Sequence, residues 1–83
     1  MAEAVPSDEK LFDLIADEAL VDRGSLRRDI SVQDVGITSL DLISVLFVVE
    51  DKYGVQIDEN DLKSCKTLGD LVDHLKSRVA AAA

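Results

Sequence analysis

The sequence has 83 residues and a formal charge of −8, from 17 acids against 9 bases, which is the profile of one small acidic domain. That balance excludes nucleic acid as a partner, because a phosphate backbone is held by Lys and Arg that displace its counterions, and it favours partners with basic surfaces. Hydrophobic residues make up 47% and aromatics only 4%, so a core must be built from Leu, Ile and Val.

The single cysteine, Cys65, cannot form an intrachain disulfide. Small secreted domains ordinarily depend on such staples, so a reducing compartment is expected. Residues 1–7 lack the basic region and apolar stretch of a signal peptide. No unbroken apolar run, that of residues 45–49 included, is longer than five residues, far short of a membrane span. A cytoplasmic monomer without stable membrane association is expected.

Residues 7–79 read as a single domain, with residues 1–6 and 80–83 as flexible or helix-extending termini. The first helix is expected over residues 8–21: Ser7 can cap it, Asp8 and Glu9 suit the positive end of its dipole, and Gly24 lies just beyond. Leu11, Phe12, Leu14, Ile15 and Ala19 give it a broad apolar face. Residues 22–37 show no helical period and are expected to form a long loop, pinned to the core by Leu26, Ile30, Val32, Val35 and Ile37.

Residues 39–53 are the ambiguous segment. Ile43, Val45, Val48 and Val49 are β-branched and fit a buried strand. Three features favour a helix: Thr38 and Asp41 have the spacing of a capping box, Gly54 follows as a stop signal, and Leu42, Val45, Leu46, Val49 and Tyr53 recur on one helical face. Asp58 can cap a short helix reaching about residue 63. Thr67 and Asp70 repeat the capping box and open a last helix to about residue 78, with Leu68, Leu71, Val72, Leu75 and Val79 on its core face. The expected fold is all-α: a small four-helix bundle of three long helices and one short one, with a long loop between the first two.

The run Val35, Gly36, Ile37, Thr38, Ser39, Leu40, Asp41, Leu42 resembles the attachment motif of acyl and peptidyl (aminoacyl) carrier proteins, in which a Ser-Leu pair follows a Gly-containing loop and opens the second helix. The likeness extends from about Leu11 to Leu75 and departs from the common pattern at Thr38, where many carriers have aspartate; threonine can cap as well. The resemblance implies that Ser39 receives 4'-phosphopantetheine from coenzyme A. The implied partners are a phosphopantetheinyl transferase, an acyl- or aminoacyl-loading enzyme, and a downstream synthase or transferase. It also implies that the chain is not an enzyme itself. The cargo, whether fatty acyl, polyketide or aminoacyl, stays open, although Ser44 and Val48 on the outer face of the second helix lean toward a specialised pathway.

Helical geometry supports that placement. As the first helical residue, Ser39 faces solvent beside free backbone N–H groups and the positive end of the dipole, and no base lies near it in sequence. At about 100° per residue, Leu40, Ile43 and Phe47 fall in a sector close to Ser39 and away from the core face. They are expected to form a partly exposed docking patch ringed by Asp41, Glu50 and Asp51. The competing reading is a helical interaction module that uses this patch without a prosthetic group. Asp58, Glu59 and Asp61 do not fit a calcium loop and read as caps. His74 and Cys65 lack partners at ligand or catalytic spacing, so no metal site is expected.

Overall fold

The computed structural model describes residues 5–82. Three long helices, α1 (Asp8–Ala19), α3 (Ser39–Tyr53) and α5 (Leu68–Ala82), carry the architecture, with single-turn helices α2 (Val32–Val35) and α4 (Glu59–Leu62) in the connections. The all-α bundle expected from the sequence is the fold found. Among the described residues, one isolated antiparallel bridge, Ser31 to Thr67, is the whole of the β-structure. The β-branched run of α3 is therefore helical, held between the Thr38 cap and the left-handed Gly54 at φ 66°.

Local details differ from the sequence expectation in five places. α1 stops at Ala19 rather than residue 21, because Leu20 turns into the left-handed region and donates its N–H to Ala16 O. Gly24 therefore does not end α1; it sits in a 3₁₀ turn, Arg23–Ser25, capped by Asp22. The long loop contains the unexpected turn α2, with Ser31 capping its start and Gly36, at φ 87°, ending it. α5 runs on to Ala82, and Pro6 is already buried. Residues 1–4 and 83, assigned to the termini in the sequence, lie outside the described residues.

The core is aliphatic apart from Phe12, as composition demanded. Leu11 and Ile15 of α1, Val45 and Val49 of α3, and Leu68, Leu71, Val72 and Leu75 of α5 are its most buried side chains, and no polar side chain is buried among the described residues. Leu26, Val32 and Ile37 are buried with them, while Ile30 and Val35 pack against the cluster, so the loop anchors act as expected. Leu42 and Tyr53 are half-buried at its margin.

Two polar contacts with α5 show the helix directions. Asp8 at the start of α1 pairs with Lys76 of α5, and Arg78 donates to Gln56 O, just beyond α3, at 3.3 Å. The first turn of α1 and the end of α3 thus share one end of the bundle with the latter half of α5, and α1 runs opposite to α3. Arg28 joins the network, reaching Asp8 at 3.0 Å and Asp73 at 2.7 Å. At the other end the long loop is tied to the start of α5: Leu68 N donates to Ile30 O at 3.0 Å and Gly69 N to Arg28 O at 2.9 Å.

Two tests follow from this frame. A Cβ at Gly69 would lie 2.9 Å from the Arg28 carbonyl oxygen, which is backbone and cannot swing aside. Gly69→Ala, ordinarily favourable in a helix, should destabilise by roughly 1–3 kcal/mol in urea denaturation. The bond from Lys76, reinforced by Arg28, holds the Asp8 carboxyl below the ordinary carboxylate range against the opposing effect of its partial desolvation. The folded state thus takes up that proton less readily than the unfolded chain. Its stabilisation is complete above about pH 5 and is lost as pH falls through the lowered value. Asp8→Asn should therefore be less stable than wild type at pH 7, and denaturant titrations should show the gap closing as pH falls toward the folded-state value.

Candidate attachment site

The site begins with what stops the loop. Gly36 ends α2 in the left-handed region, and Ile37 drops into the core while its N–H bonds Val32 O at 3.3 Å. Thr38 follows in extended geometry, with φ −89° and ψ 171°, and α3 starts immediately after it. The Thr38 hydroxyl accepts from Asp41 N at 3.2 Å, and the Asp41 carboxylate accepts from Thr38 N at 3.0 Å. The capping box read from the sequence is complete.

This box puts Ser39 at the first helical position with its side chain exposed. Thr38 O receives Leu42 N at 3.0 Å, and Asp41 N is spent on the cap. The N–H groups of Ser39 and Leu40 have no acceptor among the described residues. They sit at the positive end of a 15-residue helix, where a phosphate-type anion is favoured. An exposed hydroxyl beside two free donors fits a phosphodiester-linked group. The Asp41 carboxylate nearest to it in sequence is engaged by Thr38 N, so a base that takes the hydroxyl proton has to come from another protein.

The other six serines have different surroundings. Ser7 and Ser31 cap α1 and α2, and the hydroxyls of Ser64 and Ser77 donate to Asp61 O and His74 O at 2.8 Å. Ser25 is half-buried in the 3₁₀ turn. Ser44 is exposed but lies inside α3, where the backbone donors are taken up by the helix. Only Ser39 combines exposure, an unbonded hydroxyl and a helix start.

Beside it, Leu40 and Phe47 are 76% and 61% exposed, and Ile43 is half-buried. The loop does not cover them. The acids around this patch are not equivalent. Asp41 belongs to the capping box, and the Glu50 carboxylate accepts from Ile57 N at 2.8 Å, which ties the exit of α3 to the next segment. Asp51 is exposed and makes no hydrogen bond or ion pair among the described residues. The role of Glu50 was not readable from spacing, since it depends on how the chain turns after Gly54. Val48, expected on the outer face, is half-buried along the groove between α3 and α1, with Leu14 and Tyr53.

The remaining candidates are structural. Burial, then the nearby Asp70 and Asp61 carboxylates, push the Cys65 thiol up, which keeps it protonated and unreactive. His74 lies 3.7 Å from Asp61, and no group of metal-ligating side chains is found among the described residues.

Comparison with known proteins agrees with this geometry. The chain matches the family "Phosphopantetheine attachment site" over residues 9–75. It is 34% identical over 76 residues to the acyl carrier protein of Lactobacillus acidophilus, covering 86% of this chain and 95% of that one. It is 35% identical over 72 residues to the acyl carrier protein of Syntrophus aciditrophicus, covering 86% and 90%. The 3-oxo-butyl acyl carrier protein from the actinorhodin polyketide synthase of Streptomyces coelicolor superimposes with a TM-score of 0.83 over the full length of both chains at 25% identity. The protein is thus a small helical carrier, a class that ferries cargo and is not itself catalytic. It belongs to the acyl carrier protein family and has that family's phosphopantetheine attachment domain. This sets aside the alternative of an interaction module without a prosthetic group.

Removing the Thr38 hydroxyl tests the cap directly. Thr38→Ala should cost about 1 kcal/mol in equilibrium unfolding, and amide exchange should quicken first at the opening turn of α3.

Proposed function

We propose that Ser39 is the attachment residue and that the protein carries acyl groups on the arm bound there. The observation that supports this most strongly is the exposed, unbonded Ser39 hydroxyl on the first turn of α3, flanked by the free N–H groups of Ser39 and Leu40. In the modification, a phosphodiester forms at Ser39 Oγ as the pyrophosphate bond of coenzyme A breaks, adenosine 3',5'-bisphosphate leaves, and the hydroxyl proton passes to a base on the transferase. When bound, the group supplies a flexible arm ending in a thiol that can be acylated. The chain's own contribution is to hold Ser39 outward, offer donors to the phosphate, and keep the surrounding fold unchanged.

Partners on this reading are the phosphopantetheinyl transferase, an acyl-loading enzyme and a synthase that receives the cargo. Acyl rather than aminoacyl cargo is favoured by the names of the similar proteins. Leu40, Ile43 and Phe47 form the docking patch, with Asp51 as its freest acid and Asp41 and Glu50 contributing charge while held by backbone donors. A basic partner surface is drawn by the net charge of −8 and released as salt screens it. No helix among the described residues is long and apolar enough to cross a membrane. A free thiol on the arm calls for a reducing compartment, and the cytoplasm is the one proposed.

Incubation with coenzyme A and a broad-specificity phosphopantetheinyl transferase, read by intact mass, should add one phosphopantetheine to wild type and none to Ser39→Ala. An unmodified wild type, or an equal addition to the variant, contradicts the assignment. Phe47→Ala should lower kcat/KM for partner enzymes by about tenfold while shifting Tm little, because the ring is 61% exposed. Loss of the folded state in that variant would instead make Phe47 a core residue.

A further inference from the structure

Leu20 carries two unfavourable features at once. It is the one non-glycine residue with positive φ among the described residues, at φ 56° and ψ 42°. Its side chain is 89% exposed, more than Leu40, Phe47 or Val5. A left-handed cap is normally filled by glycine, which adopts it without steric cost. The chain uses that solution at Gly36 and Gly54 for the same task. At the end of α1 it places a leucine that is almost wholly exposed and outside the core cluster, so neither backbone geometry nor the core accounts for it.

Its position is informative. α1 runs opposite to α3, so its last residue points away from the Asp8–Lys76 end and toward the end where α3 begins with Ser39. Its charge environment is one-sided. Asp17, Glu18 and Asp22 are exposed within three residues of Leu20. The nearest base, Arg23, is folded back onto α1, paired with Glu9 and with Asp13 at 2.8 Å, its guanidinium 5.2 Å above the Phe12 ring. The result is an apolar knob inside an acidic rim. An anionic lipid surface is repelled by that rim, and so is a second copy of a chain with net charge −8. A protein with a basic surface around an apolar socket fits it.

We infer that Leu20 is a second docking point for the phosphopantetheinyl transferase, separate from the Leu40–Phe47 patch, seating in an apolar socket of that enzyme as it approaches Ser39. The inference rests on the Ser39 reading, since the transferase is the partner that must close on this end of the bundle.

The test uses the full chain, coenzyme A and a broad-specificity transferase, with steady-state transfer and thermal unfolding measured on the same samples. Leu20→Gly relieves the left-handed strain, so its Tm should rise. Its transfer kcat/KM should fall about fivefold, mainly through KM, and the loss should persist at about 0.5 M salt because the contact is apolar. Leu20→Met should retain most of the rate, and Asp17→Asn should show a loss at low salt that vanishes at high salt. A higher Tm with unchanged kcat/KM in Leu20→Gly overturns the inference alone, as does a wild-type dimer that Leu20→Gly dissolves. No arm on wild type overturns the Ser39 reading and this one with it.

Discussion

The reciprocal pair of hydrogen bonds between Thr38 and Asp41 decides where the long loop becomes α3, and the site depends on that boundary. With Ile37 buried just before it, the chain has no freedom to slide by one residue. A slip would carry Ser39 into the cap or onto another face, and would turn Val45, Leu46 and Val49 out of the core. The core register and the display of Ser39 are therefore one constraint. On the proposed assignment, this is how an 83-residue chain can offer Ser39 for modification without a dedicated pocket. The helix start itself supplies exposure, free donors and a favourable field.

The acidic surface is divided between holding the fold and meeting partners. Asp8 and Asp73 clamp α1 and α5 through Lys76 and Arg28, and the Asp70 carboxyl is drawn below its ordinary range by the backbone N–H groups of Thr67 and Lys66 that it accepts. Asp41 and Glu50 likewise serve backbone donors. Asp17, Glu18 and Asp51 are exposed without such duties. Asp34 and Glu59 are exposed and unengaged as well, so net charge alone overstates, but does not localise, the acidity left free to meet a basic surface.

Much of this was legible in the sequence because the informative signals are local. Caps at Ser7, Thr38, Asp58 and Thr67 and the stop at Gly54 lie within a few residues of the backbone groups they satisfy, and they outweighed the β-branched run in α3. The apolar anchors of the long loop were readable for the same reason. What escaped is either too short to have a period or set by tertiary contact. α2 is one turn, although Ser31 before it and Gly36 after it were usable signals. α1 ends two residues short of its expected limit because Leu20, which is not an expected left-handed cap, closes it. The tie between residues 28–32 and the start of α5, and the Glu50 bond to Ile57, depend on segments meeting in space.

Amide chemical shifts compared before and after the arm is attached to uniformly labelled protein give the most direct measurement of the central claim, that a capped helix start presents Ser39 without disturbing the bundle. The account expects the largest changes at Ser39 and Leu40, whose free N–H groups meet the new phosphate, with Val45, Leu46, Val49 and Leu71 essentially unmoved. Changes centred on Ser25 or Ser44, or spread through those core residues while Ser39 stays still, would contradict it.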